Sequence, residues 1–273
     1  MTPADLETAF EFSMALYWPH RLVDWEQALR LGEGVVAECE GEVVGTAMRW
    51  RWGDRHATIG LVIVDPAHQG KRIGYRLMLA MLDGLDDCTV LLHATVEGHD
   101  LYTRLGFVDT HEIYQQQGTA LPAPLVAPAP GWRLRRADAS DAAALLQLDT
   151  AARGMPRPQL LAELNTHSEL IVVLDHGGDA KGYAVLRRFG RGLAIGPVIA
   201  PDTDGAKVLI AHLAGLSAGR FLRIDIDATS GLSEWLETLG LSKVGAPVTM
   251  VRGAALVTDP AIRMYALATQ ALG

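Results

Sequence analysis

Cysteine is scarce in this chain. Only Cys39 and Cys88 occur among 273 residues, too few for a disulfide framework, and they read as two reduced small hydrophobes of a cytoplasmic protein. No apolar run approaches the ~18 residues of a membrane span. The opening MTPADLETAF has neither the basic nor the apolar region of a secretory signal. An excess of basic charge is missing as well. Lys and Arg number 24 against 32 Asp and Glu, a formal net charge of -8, which speaks against nucleic acid or an anionic membrane as a partner. Nothing resembles a zinc cage, a Ser-His-Asp order or a paired-carboxylate motif, so no metal is expected. What is present is apolar: 49% of residues are hydrophobic, enough for the cores of one large or two small domains. A soluble, cytoplasmic monomer or homodimer is the expectation.

The most informative stretch runs from Ile59 to Met78. Ile59, Leu61, Val62, Ile63 and Val64 form a near-continuous apolar run, the pattern of a strand covered on both faces. Asp65-Pro66 ends it, because proline cannot donate to a strand ladder. Gln69-Gly70-Lys71-Arg72-Ile73-Gly74 then leads into a helical spacing of Leu77, Met78, Met81 and Leu82. Backbone N–H groups at such a helix start attract an anion, and Lys71 and Arg72 add positive charge. The order of a P-loop is absent, and so is a complete G-x-G-x-x-G. A phosphate cradle and a plain tight turn with solvated cations are both open at this point.

Downstream, Val90–Thr95 is another apolar strand, followed by Gly98–Phe107 with its Leu101-Tyr102 and Leu105-Gly106-Phe107. Together with the loop at Gln69–Gly74, this segment resembles the GNAT superfamily of N-acetyltransferases, whose members carry a Q/R-x-x-G-x-G/A loop about this far upstream. The resemblance implies an α/β fold with a mixed, mainly antiparallel twisted sheet flanked by helices. It implies acetyl-CoA as co-substrate, its pyrophosphate held by the amides of Gln69, Gly70, Lys71, Arg72, Ile73, Gly74 and Tyr75. Val62 and Val64 would offer backbone groups to the pantetheine arm. Tyr102 matches the family tyrosine that protonates the leaving thiolate. Arg72 stands where the family usually has glycine, and Thr95 where asparagine is common.

The chain also repeats itself. Ile59-Gly60-Leu61-Val62-Ile63 matches Ile195-Gly196-Pro197-Val198-Ile199, and Leu105-Gly106-Phe107 matches Leu239-Gly240-Leu241 at nearly the same offset. In the second copy Gly205–Ile210 replaces the loop and Leu236 replaces Tyr102, so the anion cradle and the proton donor are both lost. The expected organisation is a catalytic GNAT-like domain over 1–117, a linker over 118–131 with Pro122, Pro124, Pro128 and Pro130, a degenerate GNAT-like domain over 132–253, and a helical tail over 254–273. In the tail, Asp259-Pro260 reads as the N-cap and first residue of a helix through Ala271. That helix is a candidate cover for the first domain's sheet edge, because the first copy begins at the helix that usually follows an initial strand.

The acceptor side is less explicit. Tyr17–Arg21 falls where acceptor sites form in the family, making Trp18 and His20 candidates, and a packed helix–helix corner is the other reading. Trp50 shares a strand face with Trp52, for packing or for substrate contact. His93 lies in an apolar strand, as a structural residue or a base, and Glu97 and His99 lie near Tyr102. The expected reaction is direct attack of a primary amine, on a small molecule or peptide, upon acetyl-CoA. An acyl-CoA-binding regulatory module without transferase activity and a partner-binding pseudoenzyme are the alternatives.

Overall fold

A computed structural model describes all of residues 1–273. Two helices, α1 (Leu6–Ala15) and α2 (Leu22–Leu31), precede the antiparallel strands β1 (Glu33–Cys39), β2 (Glu42–Trp52) and β3 (His56–Val64). Then come α3 (Ile73–Leu82), β4 (Thr89–Ala94), α4 (Val96–Arg104) and the long β5 (Val108–Thr119). The second half runs β6 (Trp132–Arg136), α5 (Ala142–Arg153), α6 (Pro158–His167), β7 (Leu170–His176), β8 (Asp179–Phe189), β9 (Gly192–Ala200), α7 (Thr203–Leu216) and β10 (Phe221–Asp227). It closes with α8 (Ser233–Thr238), β11 (Ser242–Gly245), β12 (Val248–Arg252) and β13 (Arg263–Ala266). No helix is long and apolar enough to cross a membrane.

The local reasons are those of the sequence. On α3, Ile73, Leu77, Met78, Met81 and Leu82 are buried at helical spacing against Ile59, Val90 and Leu92 of the sheet. The corresponding α7 is apolar on more of its circumference and packs in the second half's core with Val172, Ile195 and Ile224. Strand β9 is buried from Leu193 to Ala200, as expected for a strand covered on both faces.

The strands form one continuous sheet, ordered β1-β2-β3-β4-β12-β5-β10-β13-β9-β8-β7-β6, with β11 beside β5. The two halves are joined by a reciprocal exchange. Strand β12, from the second half, enters between β4 and β5 of the first, where Thr249 lies opposite both His93 and His111. Strand β5 in turn leaves the first half, pairing from Ile113 to Thr119 with Asp227 to Phe221 of β10, while β11 lines its other side. Each half is completed by a strand of the other.

Within each half, two parallel strands touch and then part. Strands β3 and β4 pair only over His56–Thr58 with Thr89–Leu91, and β9 and β10 only over Leu193–Ile195 with Leu222–Ile224. The backbone is irregular within one position of the same place in each half. Leu61 adopts a left-handed φ of 52°, next to a register shift on β2, and Gly196 has a φ of 152°. The first gap stays open, whereas β13 fills the second. Arg263, Met264 and Ala266 pair with Ala200, Ile199 and Val198 of β9, and Ala266 also pairs with Ile226 of β10.

The expected tail helix is therefore replaced by strand β13. Asp259 does cap, accepting from the Ala261 N–H at 2.9 Å, but the cap closes a turn. Beyond it, the unpaired ladder groups of the parted strands β9 and β10 draw the apolar segment Ile262–Ala266 into extended form. The tail pairs with no part of β1, which is the end of the sheet. The linker also starts later than expected, because Gly118 and Thr119 are still strand, opposite Leu222 and Phe221.

Candidate active site

The open gap between β3 and β4 is a cavity of about 930 Å³. Its walls include Ile59–Val64, the loop residues Gln69, Gly70 and Arg72, the helix start Ile73–Tyr75, and Tyr102. Lys71 is exposed and outside this lining. Gly70 (φ 76°) and Arg72 (φ 60°) both take the left-handed conformation, turning the chain sharply before α3. No side chain caps α3, so its first N–H groups are free for an anion. A Cβ on Gly70 would meet nothing within 4 Å, which leaves its backbone open to close approach by a ligand. Gln69 anchors the loop by donating from Nε2 to the Val64 carbonyl at 3.3 Å. The arrangement can hold an anion at the helix start.

Tyr102 is buried in the cavity wall, 9% exposed, in an edge-type contact with Phe107. Gly98 makes room for it, since a Cβ there would lie 2.8 Å from the tyrosine ring. Burial pushes the phenol up to about 12, so it holds its proton throughout the neutral range and has one to donate. Thr95 and His93 line the same cavity.

A second cavity, of about 870 Å³, adjoins the first and shares Trp18, Gly60, Leu61, His93 and Thr95 with it. His20 lies on its wall, edge-on to Phe189 at 5.3 Å. Burial, with Arg223 nearby, pulls His20 down to about 4, so the ring is neutral. Trp18 and His20 are thus brought to the cavity, but Trp50 is not. Its ring is fully buried in the core between the sheet and α2, and its indole N–H donates to the Ala28 carbonyl at 2.9 Å. Trp50 is a packing residue, because its strand face looks toward the helices.

The second half contributes Phe189, Arg223, Val244–Val248, and Thr269–Ala271 of the tail to this wall. Arg223 is held by Asp225 through its Nε and Nη2, at 2.9–3.1 Å, and stacks over Phe189. Gln270 donates to Gln115 at 3.2 Å and to Asp225 at 3.3 Å. Ala271 packs on Gly60, with its Cα 3.1 Å from where a Cβ would stand. The sequence did carry one sign of this wall, the alternation Arg223, Asp225, Asp227 on an otherwise apolar strand.

The equivalent place in the second half is closed. Asp202 caps α7 by accepting from the Gly205 N–H at 2.7 Å, so a carboxylate of the chain already occupies that helix start. Leu236 is fully buried, and β13 lies in the gap.

Comparison with known proteins places both halves in one family. Two family models, each described as an acetyltransferase (GNAT) domain, match residues 30–109 and 145–266. The chain is 31% identical to the uncharacterized N-acetyltransferase YitH of Bacillus subtilis (strain 168), over 85% of this chain and 82% of that one. Among solved structures, one from Pyrococcus horikoshii, provisionally named an acetyltransferase, superposes with a TM-score of 0.79 at 19% identity, covering 100% of this chain and 94% of the other. A tandem GNAT protein from the clavulanic acid biosynthesis pathway superposes with a TM-score of 0.63 at 15% identity, covering 93% and 98%.

Proposed function

The chain belongs to the GNAT acetyltransferase family, with two such domains in tandem, and from that premise we propose that it is an N-acetyltransferase whose first domain moves an acetyl group from acetyl-CoA to a primary amine. The observation that carries this reading is the asymmetry of the two halves. One gap is open, with an uncapped helix start and Tyr102 beside it, while the other is capped by Asp202 and filled by β13. The amides of Gly70–Tyr75 hold the pyrophosphate, helped by the Arg72 cation. Backbone groups of Val62 and Val64, on the parted edge of β3, pair with the amide-bearing arm. The amine enters through the second cavity, past Trp18 and His20. Its nitrogen attacks the thioester carbon, the C–S bond breaks, and Tyr102 gives its proton to the departing thiolate. No covalent enzyme intermediate is required.

The test is transfer of radiolabelled acetyl groups to spermidine, lysine, kanamycin and a peptide with a free N-terminus, alongside calorimetry with acetyl-CoA. Transfer to at least one amine is expected, with one bound acetyl-CoA per chain, and Tyr102→Phe should lower kcat about a hundredfold. Binding without transfer would leave an acyl-CoA-binding module. Absence of binding would overturn both readings.

A further inference from the structure

His93, Thr249 and His111 stand in one row across β4, β12 and β5. The directions of their hydrogen bonds follow from one fixed end. The Thr110 hydroxyl donates to the Thr249 carbonyl at 2.9 Å, and a carbonyl can only accept. With its proton so placed, Thr110 Oγ1 accepts from His111 Nδ1, 3.1 Å away. A neutral His111 that donates from Nδ1 has a lone pair on Nε2, which receives the Thr249 hydroxyl proton across 3.4 Å. Thr249 Oγ1 is then left to accept from His93 Nδ1 at 3.0 Å. The chain of four groups ends in a lone pair on His93 Nε2. That nitrogen is sealed from solvent and has no partner, although the His93 ring lines both cavities where they meet.

We propose that His93 Nε2 is the general base that takes the proton shed by the attacking amine, and that Thr249 and His111 relay the charge away from it. This rests on the acetyl-transfer reading above. As the amine nitrogen bonds to the thioester carbon, its proton passes to His93 Nε2. The Nδ1 proton of His93 moves to Thr249 Oγ1, whose own proton moves to His111 Nε2. Once the product has left, the two relay protons return to Thr249 and His93, and the amine's proton leaves His93 Nε2 through cavity water, balancing the proton that Tyr102 gave to the thiolate. Burial, then the Arg153 cation and His111, hold His93 down to about 3, so its ring is neutral at rest. His111 is likewise held low, by burial first, with Asp227 raising it and Arg153 and Arg263 lowering it. Because Thr249 lies on the exchanged strand β12, the second half supplies part of the first half's catalytic machinery.

The experiment joins spectroscopy and kinetics on the full chain. Histidine-ring ¹⁵N spectra should show His93 protonated on Nδ1 and bare on Nε2 from pH 6 to pH 8, a readout independent of transfer. A proton on Nε2 would overturn the proposal. Using the best amine of the panel above, His93→Asn keeps a donor for Thr249 but removes the base, and should lower kcat about a hundredfold with the KM for acetyl-CoA unchanged. Thr249→Val should lower kcat about tenfold, and Thr249→Ser should restore it. Wild-type kcat in His93→Asn, with an unchanged melting temperature, would overturn the proposal while leaving the acetyl-transfer reading intact.

Discussion

Arg72 is held in a conformation that its side chain disfavours. At φ 60° and ψ 21° it sits in the left-handed region, where a non-glycine residue costs about 1–2 kcal/mol. Glycine would remove that strain but also the cation at the mouth of the anion site. A β-branched residue would lose the charge and raise the strain together. Arg72→Val should therefore melt below Arg72→Gly by about 1–2 kcal/mol, while both weaken acetyl-CoA binding. Equal stability of the two variants would mean that the loop relaxes. The sequence identified Arg72 as the position where glycine is usual, because the loop is a local motif whose demands are written in adjacent residues. Trp50 shows the opposite case. Its parity with Trp52 placed it correctly on a shared face, but only packing against α2 determines that the face is core.

At the scale of elements, β6 is the far end of the sheet, and charge fastens it. Arg133 and Arg135 donate to Asp175 of β7 at 3.1 Å and 2.9 Å, and Arg135 also grips Asp141 ahead of α5. Arg135, then Arg133 and the Gly178 N–H, hold the Asp175 carboxyl down from 3.8 to about 2. A depressed carboxyl stabilises the fold at pH above its unfolded value. Its contribution is lost as pH falls from 3.8 through about 2. Asp175→Asn should lower the melting temperature at neutral pH and flatten its decline across that window. An unchanged acid limb would assign the decline to other carboxylates. Strand β3, its stop at Asp65-Pro66 and the start of α3 were legible because proline, glycines and apolar periodicity act over a few residues. Strand β13 was not. Asp259-Pro260 before an apolar segment suits a helix equally well, and what decides is a gap between two strands laid down about 60 and 35 residues earlier.

For the whole molecule, the exchange of β5 and β12 removes the usual independence of tandem domains. A fragment of residues 1–131 would expose the facing edges of β4 and β5, and a fragment of residues 132–273 would lack the strand between β10 and β11. Each alone should be insoluble or aggregate, and their coexpression should recover a soluble, folded pair. A well-folded, monomeric 1–131 fragment would count against the exchange. The repeat offset in the sequence revealed the duplication, but periodicity describes one strand at a time and carries no information about which half a strand joins. The acceptor wall followed the same rule: Trp18 and His20 were legible next to their helices, whereas Phe189, Arg223 and Thr269–Ala271 reach it only through the assembled sheet.

The reciprocal strands also bear on inheritance. After a duplication, a copy that has lost its chemistry is ordinarily free to decay or to be deleted. Here deletion of the second copy would take β12 with it and open a furrow between β4 and β5 of the first. The two halves can drift apart in sequence, as Leu236 opposite Tyr102 illustrates, but they must be passed on together.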